Sequence, residues 1–284
     1  MFRKTVVKWL NLVVSARIRL RSFRVPIWGG MEVPGVTDTW HVELFARLLN
    51  LREGAFVDVG MNLGQTLLRV RAIDQTRPYV GFEPNPKCVA YLERLVDENC
   101  FSNTTVVPSG LSDTSGLRKL YFPPDDSAHE AATVIKDLRR HSTGYPSRVI
   151  SVCVFDEVAE EVETGTVAFV KIDVEGHELE ALSGMKRMIA RDRPLLLVEV
   201  LPRVGGTSPS DTIERSTRIL RLLGELSYGI RRVVPDDSLG TSICLEAFTE
   251  FKGLPFKPSE SYDYLLIPDE SLDVVVDLFN RRAG

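Results

Sequence analysis

The hydrophobic positions change period in a regular order from about residue 53 onward. AFVDVG (55–60) is an apolar run of strand length, and the LGQTLLRVRAID that follows has its apolar residues at helical spacing. The exchange then recurs. PYVGFE (78–83) predicts a second strand, closed by Pro84-Asn85-Pro86, and Val89, Leu92, Leu95 and Val96 predict a helix within 87–99. NTTVVPSG, TVAFVKID and RPLLLVEVL predict three more strands, and Leu179, Leu182, Met185 and Ile189 give an apolar face to a helix between the last two. Strands that are apolar throughout are buried on both faces, so the expected fold is α/β, a mostly parallel sheet with helices on both sides. Beyond Pro202, TIERSTRILRLLGEL predicts a helix, and YGIRRVV and YDYLLIP predict two late strands paired antiparallel at the sheet edge. Residues 123–148 predict a loop long enough to close over the strand ends.

Ligands of such sheets bind beyond the carboxyl ends of the strands, where strand order reverses. That rule selects Asp58 to Gly64, Glu83, Ser112-Asp113, Asp173 to His177, and Glu199. DVGMNLG (58–64) turns from strand to helix through Gly60 and Gly64, but it is not GxGxxG. Counted from Gly60, the later glycine positions hold Asn62 and Gln65. A pyrophosphate needs the closer backbone approach that those glycines allow. S-adenosylmethionine has ribose and adenine but no phosphate, and its cationic sulfonium suits an acid-lined pocket. Glu83 can accept hydrogen bonds from both ribose hydroxyls, which NAD shares; the plainer reading is a solvated acid before a proline turn. An NAD-dependent dehydrogenase and a non-catalytic cofactor-binding module are the competing readings.

VKIDVEGHELEAL (170–182) concentrates the remaining chemistry. Asp173 ends a buried strand, where an acid needs a partner. Glu175 shares its side while the chain stays extended. Glu178 and Glu180 fall at a helix start, where the dipole favours carboxylates. His177 is open between general base and capping or packing. His41, His129 and His141 rank behind it, the last two inside the loop at 123–148.

These motifs together resemble the FkbM-type methyltransferases: DVGMNLGQTLL, GFEPNP, GLSD, KIDVEGHELEAL and LLLVEV, in this order. The resemblance covers about residues 53–202, with YDYLLIP a further match, and FDEV (155–158) departs from the family, which more often has a leucine before the aspartate. It implies a Rossmann-like class I fold with a seven-stranded sheet and an antiparallel C-terminal strand. It also implies an S-adenosylmethionine-dependent enzyme, most often methylating oxygen on sugars or natural products. Carried onto this chain, it puts the methionine end of the cofactor over Asp58, Gly60, Asn62 and Gly64, the ribose at Glu83 and the adenine near Ser112 and Asp113. The acceptor side falls to Asp173, His177 and Glu199. Asp173 and Glu199 either remove the hydroxyl proton directly or hold a hard divalent ion, and the sequence leaves both open.

Composition changes the picture mainly at the start of the chain. The net charge of −4 over 284 residues argues against a general nucleic-acid binder. Seven basic residues and no acid lie before position 25, leaving 28 basic against 39 acidic residues in the remainder. We therefore divide the chain into a basic extension (1–50) and a methyltransferase domain (51–284). Trp9, Leu10, Leu12, Val13 and Val14 beside those basic residues suit an amphipathic helix, lying on an anionic membrane with a glycolipid acceptor or packed on the acidic body. No apolar run approaches a membrane span. Cys88, Cys100, Cys153 and Cys244 show no ligand-like spacing, which fits buried, reduced thiols in a cytoplasmic protein, peripheral to the inner membrane face if the extension binds there.

Overall fold

A computed structural model describes residues 12–27, 39–122, 132–135, 145–201, 209–235, 242–251 and 261–280. It opens on an antiparallel hairpin, β1 (Leu12–Ile18) and β2 (Arg21–Ile27), where a helix was expected. The reason is the period. Phe23 and Val25 are buried while Ser22 and Arg24 are exposed, an alternation of two rather than of three to four. Trp9 and Leu10 lie outside the described residues.

After α1 (Thr39–Leu48), the alternation becomes β3 (Ala55–Val59), α2 (Gln65–Ile73), β4 (Tyr79–Phe82), α3 (Pro86–Asn99) and β5 (Thr104–Val107). α3 starts where the Asn85 side chain accepts from the Lys87 amide, with Pro86 in the first turn. It stops at Cys100, in the left-handed region at φ 53°. A small sheet follows: β6 (Gly110–Leu111), β7 (Gly116–Tyr121) and β8 (Ser147–Cys153), in the order β6-β8-β7. Next come α4 (Phe155–Val158), β9 (Val167–Ile172), α5 (Glu178–Gly184), α6 (Lys186–Asp192), β10 (Leu195–Glu199) and α7 (Pro209–Glu225). The chain closes with β11 (Tyr228–Pro235), β12 (Ile243–Ala247), β13 (Asp263–Pro268) and α8 (Leu272–Asn280).

The main sheet has the order β12-β11-β13-β10-β9-β3-β4-β5. β10, β9, β3, β4 and β5 are mutually parallel. β13 runs antiparallel between β10 and β11, and β12 is antiparallel to β11. The count is thus eight strands rather than seven. The added edge strand, ICLEA, is too short and too polar to declare itself. β11 and β13 pair as expected, but β12 holds the edge. From the centre, the chain builds outward through β4 and β5 on one side and through β9 and β10 on the other, so strand order reverses between β3 and β9. Their carboxyl ends make the crevice.

Alternate residues of these strands feed two cores. Phe56, Phe169, Leu195 and Leu197 pack with α1, α2, α3 and α8, and the same core takes in Ile18, Phe23 and Val25 of the hairpin. Val57, Val170, Ile172, Leu196 and Val198 pack with α4 to α7. On the first face, Phe56 stacks between Tyr79 (5.3 Å) and Phe169 (5.1 Å), with Phe45 of α1 edge-on to both phenylalanines. That ladder fixes the register of β9, β3 and β4 below the crevice. None of the four cysteines is in a disulfide. Only Cys88 is buried and Cys100 is exposed, so burial is not their common feature.

Candidate active site

A cavity of about 440 Å³ opens at the reversal point, within the ~300–1,000 Å³ usual for small-molecule and cofactor sites. Gly60, Asn62, Glu83, Asp173, His177 and Glu199 line it, together with Glu175. Asp58, Gly64, Ser112 and Asp113 are not in its wall. Asp58 lies beneath it, fully buried. Gly64 opens α2 with its Cα facing Leu92 and Leu95 of α3. Ser112 and Asp113 follow Leu111, which does reach the wall.

The turn after β3 is shaped by contact with β9. Gly60 has φ 88°, and a Cβ there would overlap the carbonyl oxygen of Asp173. Asn62, at φ 50°, occupies the left-handed region that asparagine tolerates. Its amide donates to Glu83 Oε2 at 2.8 Å, and the Asn85 amide donates to Glu83 Oε1 at 2.8 Å. Both oxygens of Glu83 are therefore aimed by backbone. Burial still dominates and pushes its pKa up to about 7, against the pull of those two amides.

Under the cavity, Asp58 accepts from the Tyr79 hydroxyl at 2.5 Å, and its other oxygen lies 4.0 Å from Lys171 Nζ. Burial raises it to about 6. Lys171 also meets Asp173 Oδ2 at 3.0 Å. Burial opposes the Lys171 charge, but Asp173 and Asp58 outweigh it and hold the ammonium above its ordinary pKa. Asp173 is 38% exposed at the side chain; burial would raise it, yet Lys171 and a hydrogen bond from Glu199 hold it low. Glu199 is pushed well up, by burial first and then by the Asp173 charge. The two carboxyls are linked: burial and the Asp173 charge both disfavour a second negative charge on Glu199. With an ammonium at 3.0 Å, Asp173 already has its counter-charge.

His177 ties elements together. Its Nε2 is 3.1 Å from Ser112 Oγ and its Nδ1 is 3.5 Å from Glu180 Oε2, and burial lowers its pKa. Glu178 is buried, accepts from the Gly176 amide at 2.6 Å and meets Arg215 of α7 at 3.4 Å. Arg215 grips Glu180 with two bonds, 3.0 and 2.9 Å. These two acids thus anchor the start of α5 to α7.

Sequence reasoning passed over Lys171, Arg69 of α2 and Tyr79, and ranked His41 low; Lys171, Arg69 and His41 line the cavity. Gln65 and Thr66 join Arg69 on one face of α2, the periodicity that could have revealed them. The expected covering loop contributes Ala132 and Val134 to the wall. Thr133 pairs with Tyr121 and donates its hydroxyl to the Glu175 carbonyl at 2.7 Å. His129 and His141 lie outside the described residues. Among the described residues, no group of three or more His, Cys, Asp or Glu side chains is arranged to hold a metal ion.

A parallel sheet with one antiparallel strand between its late members, a glycine turn after the first core strand and an aimed acid after the second define a Rossmann-like class I methyltransferase fold. The model of the methyltransferase FkbM domain matches residues 58–228, and the chain belongs to that family. It is 31% identical over 227 residues to the hexuronic acid methyltransferase AglP of Haloferax volcanii, covering 77% of this chain and 85% of that protein. The crystal structure of an FkbM methyltransferase from Methylobacillus flagellatus shares 19% identity at a TM-score of 0.46, over 80% of this chain. This chain spans 47% of that one's length. Fibrillarin of Aeropyrum pernix, solved with natively bound S-adenosyl-L-methionine, shares 14% identity at a TM-score of 0.40, over 91% of this chain and 83% of its own.

Proposed function

We propose that this chain uses S-adenosylmethionine to methylate a hydroxyl of a sugar-containing acceptor. The observation that carries the reading is Glu83, a buried carboxylate held by two backbone amides at the wall of a cavity whose floor is the Gly60 turn. Two acceptor oxygens on one rigid group suit a vicinal diol. The tight turn leaves room for a methionine chain and lacks the glycines that a pyrophosphate would need. Leu111, Val152 and Val134 offer apolar contact for adenine, with Ser112 and Asp113 beside it. The cofactor supplies, when bound, a methyl group on a cationic sulfur. The chain's task is then to hold the acceptor oxygen in line, which supplies much of the rate, and to take its proton. We assign the acceptor side to Asp173 and Glu199, with His177 bracing that wall through Ser112 and Glu180.

Uronic acid glycosides are the first acceptors to try, because a relative is named for hexuronic acid; glycolipids and natural products follow. Calorimetry should show binding of S-adenosylmethionine and S-adenosylhomocysteine, and none of NAD. Radiolabelled methyl transfer to the glycosides should survive a chelator. Loss under chelator with recovery in magnesium would give Asp173 and Glu199 to an ion instead. Cofactor binding without transfer to any acceptor would favour a binding module.

The hairpin turn supports one further part of this reading, contact with an anionic membrane when the acceptor is a glycolipid. Leu20 is 88% exposed between Arg19 and Arg21. Co-sedimentation with anionic vesicles at low salt, weakened in Leu20→Asp, is expected. A full chain that stays in the supernatant overturns it.

A further inference from the structure

We infer that Thr133 is a positioning residue for the transfer, its hydroxyl holding in place the turn that carries Asp173 and His177. This rests on the methyltransferase reading. Residues 132–135 belong to no strand, yet they are fixed. Thr133 exchanges two backbone hydrogen bonds with Tyr121 at the end of β7, at 2.8 and 3.1 Å. Ala132 and Val134, on either side of it, line the cavity and pack on the cluster of Leu120, Ile150 and Val152 in the small sheet. Thr133 itself is buried but is not in the wall. Its hydroxyl donates to the Glu175 carbonyl at 2.7 Å and accepts from the Ile135 amide at 3.1 Å.

The turn that receives this bond is a strained one. Glu175 has φ 51° and Gly176 has φ 98°, so two successive residues are left-handed and the first of them carries a Cβ. Such a conformation is unfavourable outside glycine and persists where the surroundings hold it. The Asp173 amide donates to the Val59 carbonyl at 3.0 Å, which ties the turn to β3. The Gly176 amide donates to Glu178 Oε1 at 2.6 Å, which ties it to its own helix. Thr133 reaches it from the small sheet, as does Ser112, whose Oγ is 3.1 Å from His177 Nε2.

Asp173 lies two residues before Glu175 and His177 two residues after it, and all three line the cavity. A rotation of the peptide between Glu175 and Gly176 therefore displaces both flanking groups relative to a bound acceptor. Transfer depends on that geometry, and small misplacements lower the rate steeply. Thr133 touches no reacting atom and acts through the turn. The small sheet, which the methyltransferase reading otherwise uses for apolar contact with adenine, thereby also braces the acceptor side.

The test compares the full chain with Thr133→Val and Thr133→Ser. Valine keeps the branched shape and the backbone pairing with Tyr121 but loses the hydroxyl; serine keeps the hydroxyl. Amide hydrogen exchange without ligand reads the turn directly. The Gly176 amide, which Thr133 does not touch, should exchange about tenfold faster in Thr133→Val and near the wild-type rate in Thr133→Ser. With methyl glucuronide as probe, Thr133→Val should lower kcat about tenfold or more, with the KM for S-adenosylmethionine within about twofold. Thr133→Ser should recover most of that kcat. Unchanged exchange at Gly176 in Thr133→Val overturns the inference whatever kcat does. Faster exchange with wild-type kcat leaves Thr133 a tie of the fold alone and overturns its part in transfer. A serine variant as slow as the valine one overturns the role of the hydroxyl. If the wild-type chain neither binds S-adenosylmethionine nor transfers methyl, the methyltransferase reading itself fails, and the exchange result alone decides whether Thr133 holds the turn.

Discussion

Glu83 shows how one buried acid links folding to ligand binding. Its pKa in the folded chain, about 7, lies above the ~4.3 of an unfolded glutamate, so the native state holds a proton that the unfolded chain has lost between those values. Its contribution to stability is therefore present at low pH and declines as pH rises from about 4.3 to about 7. Ribose hydroxyls donating to the carboxylate reverse the preference. Affinity for S-adenosylmethionine should rise with pH toward about 7, by at most tenfold per unit, and level off above it. Calorimetry from pH 5.5 to 8.5 checks this, with Glu83→Gln expected to flatten the curve. Hydrogen bonds to a charged group are worth ~1.5–3 kcal/mol each. Glu83→Ala should then weaken binding roughly tenfold to a thousandfold, and unchanged affinity in a folded variant would end the ribose assignment. At this scale the sequence was partly legible. Glu83, Asp173 and Glu199 stand out as acids terminating apolar runs. Lys171 does not, because a lysine within a strand reads as an interruption until its two carboxylates are seen. His41 is far from the motifs in sequence, and only the fold of α1 brings it to the cavity.

Elements meet the site through close backbone approaches. A Cβ at Gly184, the last residue of α5, would overlap the carbonyl oxygen of Ser112. Backbone cannot yield as a flexible side chain does, so Gly184→Ala should cost about 1–3 kcal/mol. Because His177 bridges α5 to Ser112, the same change should also lower turnover. Urea unfolding should show a lower midpoint at unchanged slope; an unaltered midpoint would mean that α5 can shift freely. The parallel strands were readable because each is a buried, unbroken apolar run. β7 and β8 were not. Leu120, Ile150 and Val152 are buried but Leu117 and Val149 are exposed, so these strands present one covered face and no continuous run. The single helix expected after β9 is two. The break at Met185, with φ −109° and ψ 6°, leaves its apolar spacing nearly intact and so was invisible to periodicity.

Across the whole molecule, the question is whether the first 50 residues are an appendage or part of the body. Apolar burial argues for the body. Leu44 and Phe45 of α1 are fully buried, and Leu48 nearly so. The hairpin inserts Ile18, Phe23 and Val25 into the same core. Tyr91 of α3 donates to the Pro26 carbonyl at 2.7 Å, and Asn99 exchanges two hydrogen bonds with the Arg24 backbone. The ion pair Arg24–Glu98 spans the same junction and Arg19–Glu43 ties the hairpin to α1, but the arginines are 64% and 44% exposed. Such pairs contribute ~0–1 kcal/mol and weaken in salt. Full burial of an Ile, Phe or Val side chain is worth ~1.5–3 kcal/mol each. Burial therefore decides the attachment, and the charge asymmetry visible in the sequence says little about it. Two expectations separate the cases. Phe23→Ala, at a site 3% exposed, should cost about 3–5 kcal/mol. Arg24→Ala should cost under about 1 kcal/mol, and less still at high salt. A chain beginning at residue 28 should lose at least as much stability as Phe23→Ala, since it uncovers the same surface of α3. Equal stability of that shortened chain and the full one, measured by denaturant midpoint, would make the hairpin an appendage after all.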